Sequence, residues 1–370
     1  MPLYVLTITL LSGLLLGFFI IPKMVELSYE LHIYDLPDSR KVHKQPIPRM
    51  GGMAFLPIAI ITIVLAIVMM LCIDSTIESL WSDVTVQSLA AYLGGALMIY
   101  AIGLYDDIHG VGYRTKFLVQ AIAASLLCIS GLWITDMPGT LCDCEIPLWA
   151  GIPFTILFIV FITNAMNLID GIDGLASGLA IISLTTITLL NILAGDYVYA
   201  LLASAYIGVL VAFFYFNVMA ERHKTFMGDT GSLTLGFTLS FLILHMWLPT
   251  TTVSQRMPNA DIIAAGTLAI PSLDVIRLTV SRLCNGRNPF LPDKNHIHHK
   301  LIRTGLGARG TLITLLALSA ALTAANCLMA SCVSQLLILI TDIIIYALII
   351  IVINAFISRK AEEQLPTTQR

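Results

Sequence analysis

Long apolar runs closed by short polar breaks are the main pattern of this chain. A helix that crosses a bilayer needs about 20 mostly apolar residues, and the runs 3 to 22, 53 to 73, 86 to 105, 311 to 331 and 336 to 357 reach that length outright. Setting each apolar run against its polar breaks predicts eleven helices, over 3 to 22, 50 to 73, 86 to 105, 115 to 134, 150 to 165, 175 to 194, 198 to 217, 231 to 248, 260 to 280, 310 to 331 and 336 to 357. The expected fold is all-α, a single polytopic membrane domain over 1–370 with about 11 transmembrane helices. The fifth run is short and the ninth contains Pro271, Asp274 and Arg277, so these two depart most from a plain span. The first run lacks a basic n-region, is too long for the apolar core of a signal peptide and is followed by no A-x-A site, so it reads as helix one.

Composition agrees with the pattern. The 370 residues are 57% hydrophobic and 12% charged, against roughly a quarter charged in soluble domains. The net charge of -3 says less than where the charges lie. Positive residues are retained on the cytoplasmic side of a membrane, and counting Lys and Arg in alternate loops puts 19 of the 20 on one side, with only Arg256 opposite. An odd helix number then predicts the N-terminus outside and the C-terminus in the cytoplasm. Seven cysteines are scattered, mostly in apolar runs; Cys142 and Cys144 share a loop, but one intervening residue suits packing better than a disulfide or a metal site.

The unusual polar clusters fall in the same loops as the positive charge. Asp106 and Asp107 follow helix three, ahead of Arg114 and Lys116; adjacent carboxylates repel unless a cation or proton intervenes, so they read either as a cation- or phosphate-handling pair or as a solvated loop start. After helix five, Asn164, Asn167, Asp170 and Asp173 recur every third residue beside Gly171 and Gly174. Two carboxylates and two amides so spaced can hold a hard cation such as Mg²⁺ and leave room for substrate phosphate. Asp229, in Phe226-Met-Gly-Asp-Thr-Gly-Ser232, can cap helix eight or join a metal site. The long loop after helix nine carries Arg282, Arg287, His296, His298, His299 and Lys300, which fits a diphosphate clamp better than a zinc site. The first basic loop, through Lys44 and Arg49, ends in Gly51-Gly52; contact with anionic lipid accounts for its charges but not for the glycines. A cation-binding acid set, a basic rim and a bilayer together point to phosphoryl transfer between a soluble nucleotide and a lipid.

In order along nearly the whole chain, the Asp35 to Gly52 entry, Asp106-Asp107, Lys116 to Gln120, Asn164 to Gly174, Met227 to Ser232 and His296-x-His-His299 resemble the motifs of the polyprenyl-phosphate N-acetylhexosamine-1-phosphate transferases, the family of MraY and WecA. The resemblance implies a Mg²⁺-dependent transfer, with Mn²⁺ as the alternative ion, of a sugar 1-phosphate from a UDP-HexNAc to undecaprenyl phosphate, releasing UMP at the cytoplasmic face of a bacterial inner membrane. Asp106 and Asp107 would be the catalytic pair engaging the lipid phosphate. Asp229, with Asp170 and Asp173, would serve the metal, and Asn164, Asn167 and Asp170 the nucleotide. Phe226 would stack near uracil, and Lys116, Arg282, His296, His298 and His299, with Lys44 and Arg49, would face substrate phosphates. The implied partners are the lipid carrier, the nucleotide sugar, membrane lipid and a second copy in a homodimer, with no nucleic acid. Ile297 interrupts what the phospho-MurNAc-pentapeptide branch has as three consecutive histidines, so the chain is similar to the branch that starts surface polysaccharides from UDP-N-acetylglucosamine. One departure falls at Asn217, which lacks the family's following Pro-Ala.

Two rivals belong to other classes. A transporter would place its ionisable groups near the bilayer midplane, whereas these acids cluster at span ends. A CDP-alcohol phosphotransferase would need a second downstream aspartate pair and lacks the histidine loop.

Overall fold

A computed structural model describes residues 3–35, 46–73, 82–137, 142–249, 251–257, 259–288 and 295–363. Its helices are α1 Leu3–Glu30, α2 Phe55–Ile73, α3 Asp83–His109, α4 Tyr113–Ile129, α5 Leu148–Ile169, α6 Leu175–Ala194, α7 Tyr197–Phe214, α8 Gly228–Trp247, α9 Thr252–Arg256, α10 Ala260–Gly266, α11 Ala269–Cys284, α12 Ile297–Leu301, α13 Gly307–Met329 and α14 Gln335–Glu363. Two short antiparallel ribbons complete it: β1 Tyr34–Asp35 with β2 Ile47–Pro48, and β3 Asp136–Met137 with β4 Cys142–Glu145. Among the described residues nine helices are long and apolar enough to span a membrane, ten if the bent pair α10 and α11 is one span. The remaining expected span is α4, whose 17 residues rise about 25 Å at 1.5 Å each. The protein is an all-α polytopic membrane protein, as expected.

Two boundaries differ from the sequence pattern in a way that matters for chemistry. α3 continues through Asp106 and Asp107 to His109, and α5 continues through Asn164 and Asn167 to Ile169. These polar groups were expected in loops; they sit in the last helical turns. A helix satisfies its own backbone hydrogen bonds, so it need not stop where apolar residues do, provided its polar side chains find partners.

The three central helices are the most enclosed. Within the spans, 94% of α8 and 83% of the α7 segment are buried, against 28% of α14, so α8 can carry Thr230, Ser232, Thr234, Thr238 and Ser240 without exposing them to lipid. Between helices in a bilayer the drive is close packing rather than escape from water. α1 and α7 show it: a Cβ on Gly208 would lie 2.2 Å from the Leu10 carbonyl oxygen, and one on Gly17 would lie 2.6 Å from the Ala212 Cβ. Tyr92 ties α3 to α7 and α8 through Tyr206 (3.1 Å) and Thr238 (2.9 Å).

The ninth expected span is broken by 66° between α10 and α11. Pro271 has no N–H to return to the carbonyl of Thr267, four residues back, so the helical ladder fails there. Ser319 Oγ of α13 donates to that carbonyl instead, at 3.4 Å. Arg256, the lone basic residue on the opposite side in the charge count, donates to the Ala194 carbonyl at 2.8 Å and so satisfies the end of α6.

Candidate active site

Alternating helix directions bring the C-terminal ends of α3, α5 and α7 beside the N-terminal ends of α2, α4, α6 and α8. The N-terminus of α8 is the centre of this assembly. Its first N–H groups have no intrahelical acceptor, and the acceptor comes from α3: Asp107 Oδ1 accepts the N–H of Asp229 at 2.8 Å, and Asp107 Oδ2 accepts the N–H (2.9 Å) and hydroxyl (2.6 Å) of Thr230. Of the two readings of Asp229, cap or site residue, the cap is replaced: Asp229 lies inside the first turn, and the capping carboxylate belongs to another helix.

Close backbone approach makes this possible. A Cβ on Gly103, one turn before Asp107, would lie 2.6 Å from Thr230 Cα, and one on Gly52 would lie 2.2 Å from the Met227 carbonyl oxygen. Gly51 and Gly52 donate to the Phe226 and Met227 carbonyls at 3.2 and 3.0 Å, and Phe226 N–H donates to Pro48 O at 2.8 Å. The Gly51-Gly52 pair, unexplained by charge, is where the first basic loop lies against the start of α8.

Asp106, Asp107 and Asp229 each offer an oxygen within 4.8 Å of the others. Lys116 Nζ donates to Asp106 Oδ2 at 2.8 Å and also to Asp229 Oδ2, spanning the two carboxylates. The other Asp106 oxygen accepts Val111 N–H at 2.6 Å. Asn167 Nδ2 donates to Asp229 Oδ1 (3.1 Å) and Ser232 Oγ (2.9 Å). Hard oxygen donors at this spacing fit a divalent cation of the Mg²⁺ class.

The expected residues divide around this centre. Asn164 faces Gln120 Oε1 at 2.5 Å and its own helix at the Val160 carbonyl, 2.7 Å. Asp173 pairs with Lys224 at 2.7 Å. Asp170 follows α5 directly; burial, then the charges of Asp229, Asp173 and Asp107, push its pKa up to about 7. Arg49, in the 48–52 strap, and Phe226, just before α8, are both half-buried. His298 is buried against the acidic loop: a Cβ on Gly171 would lie 2.2 Å from its Nε2. His299 lies against His298, the ring centroids 4.3 Å apart and the planes tilted by 50°. His296 turns away, its Nδ1 2.8 Å from Asp274 Oδ2. Arg282 lies in the last turn of α11. Lys44 lies outside the described residues.

Other partners escaped the sequence reading. Thr230 and Ser232 stood in a quoted motif without a role. Asn217, which departs from the family pattern, is buried as a cross-brace, its Oδ1 accepting Gly174 N–H at 2.5 Å and its Nδ2 donating to Thr225 O at 2.8 Å. Asp274 carried a signal, polarity inside an apolar run, that reads in sequence only as weakening a span, whereas Tyr346 lies in a run that reads as a plain span.

Comparison with known proteins gives concordant matches. The family model for glycosyl transferase family 4 matches residues 89–246. A Bacillus subtilis (strain 168) protein named a probable undecaprenyl-phosphate N-acetylglucosaminyl 1-phosphate transferase is 30% identical over 312 residues, 84% of this chain and 81% of its own. The undecaprenyl-phosphate alpha-N-acetylglucosaminyl 1-phosphate transferases of Escherichia coli (strain K12) and Salmonella typhi are 28% and 30% identical, over 79% and 81% of this chain and 75% and 77% of theirs.

Proposed function

The chain belongs to glycosyl transferase family 4, among its undecaprenyl-phosphate N-acetylglucosaminyl 1-phosphate transferases, and from that premise we propose that it transfers N-acetylglucosamine 1-phosphate from UDP-N-acetylglucosamine to undecaprenyl phosphate. An oxygen of the lipid phosphate attacks the sugar-bearing phosphorus. The bond from that phosphorus to the bridging oxygen breaks, and UMP leaves with the electron pair. The product is a lipid diphosphate sugar. The observation that carries this reading is the convergence of Asp106, Asp107 and Asp229 within 4.8 Å at the ends of membrane spans.

Asp106, Asp107 and Asp229 are the residues that would hold Mg²⁺ here. Bound there, the ion would neutralise diphosphate charge and improve the leaving group. The chain's own groups do the rest. Asp107, fixed by the first turn of α8, keeps the carboxylates in register. Asn167 orients Asp229, and Lys116 supplies a positive charge that can follow a phosphate oxygen. Attachment of these helix ends to the bilayer surface holds the lipid phosphate at the same depth, which is a proximity effect.

The 19 basic residues on the side that carries the acids support a cytoplasmic-facing site in a bacterial inner membrane. Purified protein given Mg²⁺, undecaprenyl phosphate and a panel of UDP-sugars should release UMP fastest with UDP-N-acetylglucosamine. Absence of UMP and of lipid product from every UDP-HexNAc would sink the proposal.

A further inference from the structure

Asp274 is fully buried in α11, yet nothing in the acid centre touches it. Four donors converge on it from three elements: Arg277 Nη2 on the same helix (2.7 Å), Tyr346 hydroxyl on α14 (2.9 Å), and His296 Nδ1 (2.8 Å) and Ile297 N–H (3.1 Å) at the start of α12. Arg277 Nη2 also donates to the Asn295 carbonyl at 2.6 Å. A carboxylate is left uncompensated in such a place only at high cost, so its partners are held as a unit. What they hold is the short histidine helix.

We infer that Asp274 is a positioning residue that divides the histidine motif into an anchor, His296, and a presented group, His298. His296 spends its Nδ1 on Asp274 and is buried. Its ring lies nearly parallel to that of His298, at 9° and 5.6 Å between centroids. His298 is buried with neither ring nitrogen paired among the described residues, and it is pressed against Gly171 in the loop between Asp170 and Asp173. Buried polar atoms without partners are uncommon and call for an explanation. Here the explanation is a ring oriented from behind and left unpaired where the acidic loop meets substrate. Asp274 lies in α11 just after the 66° bend from α10, and its partners outside α11 come from the start of α12 and from α14.

The charge on Asp274 also sets which His296 nitrogen carries a proton: a carboxylate accepts from Nδ1–H. An asparagine at 274 keeps the shape but can turn an N–H toward that nitrogen.

The inference rests on the phosphoryl-transfer reading, so the test separates the two. UMP release is measured for the wild type, Asp274→Asn, His298→Ala and the double variant, with thermal unfolding of each recorded. His298→Ala should lower kcat about 10²-fold, the size of effect of losing one group aimed at developing charge. Asp274→Asn should lower it about 10-fold in the wild type and have almost no further effect in the His298→Ala background. Equal losses from Asp274→Asn in both backgrounds would overturn the inference, because a purely structural role does not pass through His298. Full activity of His298→Ala would overturn it as well, while UMP release by the wild type would leave the transferase reading standing. If Asp274→Asn does not fold, Tyr346→Phe, which removes one of four donors, takes its place: a few-fold loss that vanishes in the His298→Ala background supports the inference, and the same loss in both contradicts it.

Discussion

Asp107 has two duties that a single substitution can separate. As a cap it satisfies two N–H groups and a hydroxyl at the start of α8; as part of the acid centre it contributes negative charge beside Asp106 and Asp229. Asp107→Asn turns an amide donor toward groups that already donate, so it should cost about 1–3 kcal/mol of stability and abolish turnover. Asp229→Asn should abolish turnover with a smaller change in melting temperature, because Asp229 caps nothing. Activity and thermal unfolding measured together check both, and near-normal turnover in either variant removes that residue from the site. Asp170 gives a pH signature. Its pKa in the fold is about 7, against about 3.9 unfolded, so between these values the unfolded chain has lost the proton that the folded one keeps. Stability of the metal-free protein should therefore fall as pH rises from about 4 to about 7, with a slope approaching 1.4 kcal/mol per pH unit from this group, and level off above. Thermal melts in EDTA across that range should show the decline, and Asp170→Asn should make it shallower. The acids themselves were legible in the sequence because paired carboxylates at span ends are conspicuous. Their division of labour was not, since the Asp107 cap joins residues 122 positions apart.

At the scale of elements, the site depends on α3 and the 48–52 strap lying against α8 without a side chain between. Gly103→Ala would place a Cβ 2.6 Å from Thr230 Cα, pushing Asp107 off the helix start. It should lose about 1–3 kcal/mol, typical of overpacking, and most activity. Gly112→Ala, where nothing lies within 4 Å of the added carbon, should stay within about 0.5 kcal/mol of wild type. Gly103 had no sequence signal of its own, whereas Gly51-Gly52 did stand out as glycines that charge could not explain. Eleven apolar runs were readable as helices because bilayer thickness demands long uninterrupted stretches. Their ends were misjudged at α3 and α5, where polar side chains continue the helix. The bend at Pro271 was visible as a weak span, but the partners of Asp274 at the start of α12 and in α14 are remote in sequence.

Across the whole molecule, the loop count along the sequence assigns 19 of the 20 basic residues to the side that carries the acids. Green fluorescent protein fused after Arg370 should fluoresce, since the C-terminus is expected in the cytoplasm; a dark fusion with an active alkaline phosphatase counterpart would reverse the orientation and with it the access of nucleotide sugar. The enclosed α6, α7 and α8 form the frame, and the helix ends around α8 bring acids from three separate segments together. The central claim is that this acid centre holds a divalent cation for phosphoryl transfer, and Mn²⁺ binding followed by electron paramagnetic resonance tests it most directly. The wild type in detergent should bind Mn²⁺ displaceable by Mg²⁺, and Asp229→Asn should bind it at least about 10-fold more weakly; equal Mn²⁺ binding by the folded variant would contradict the account.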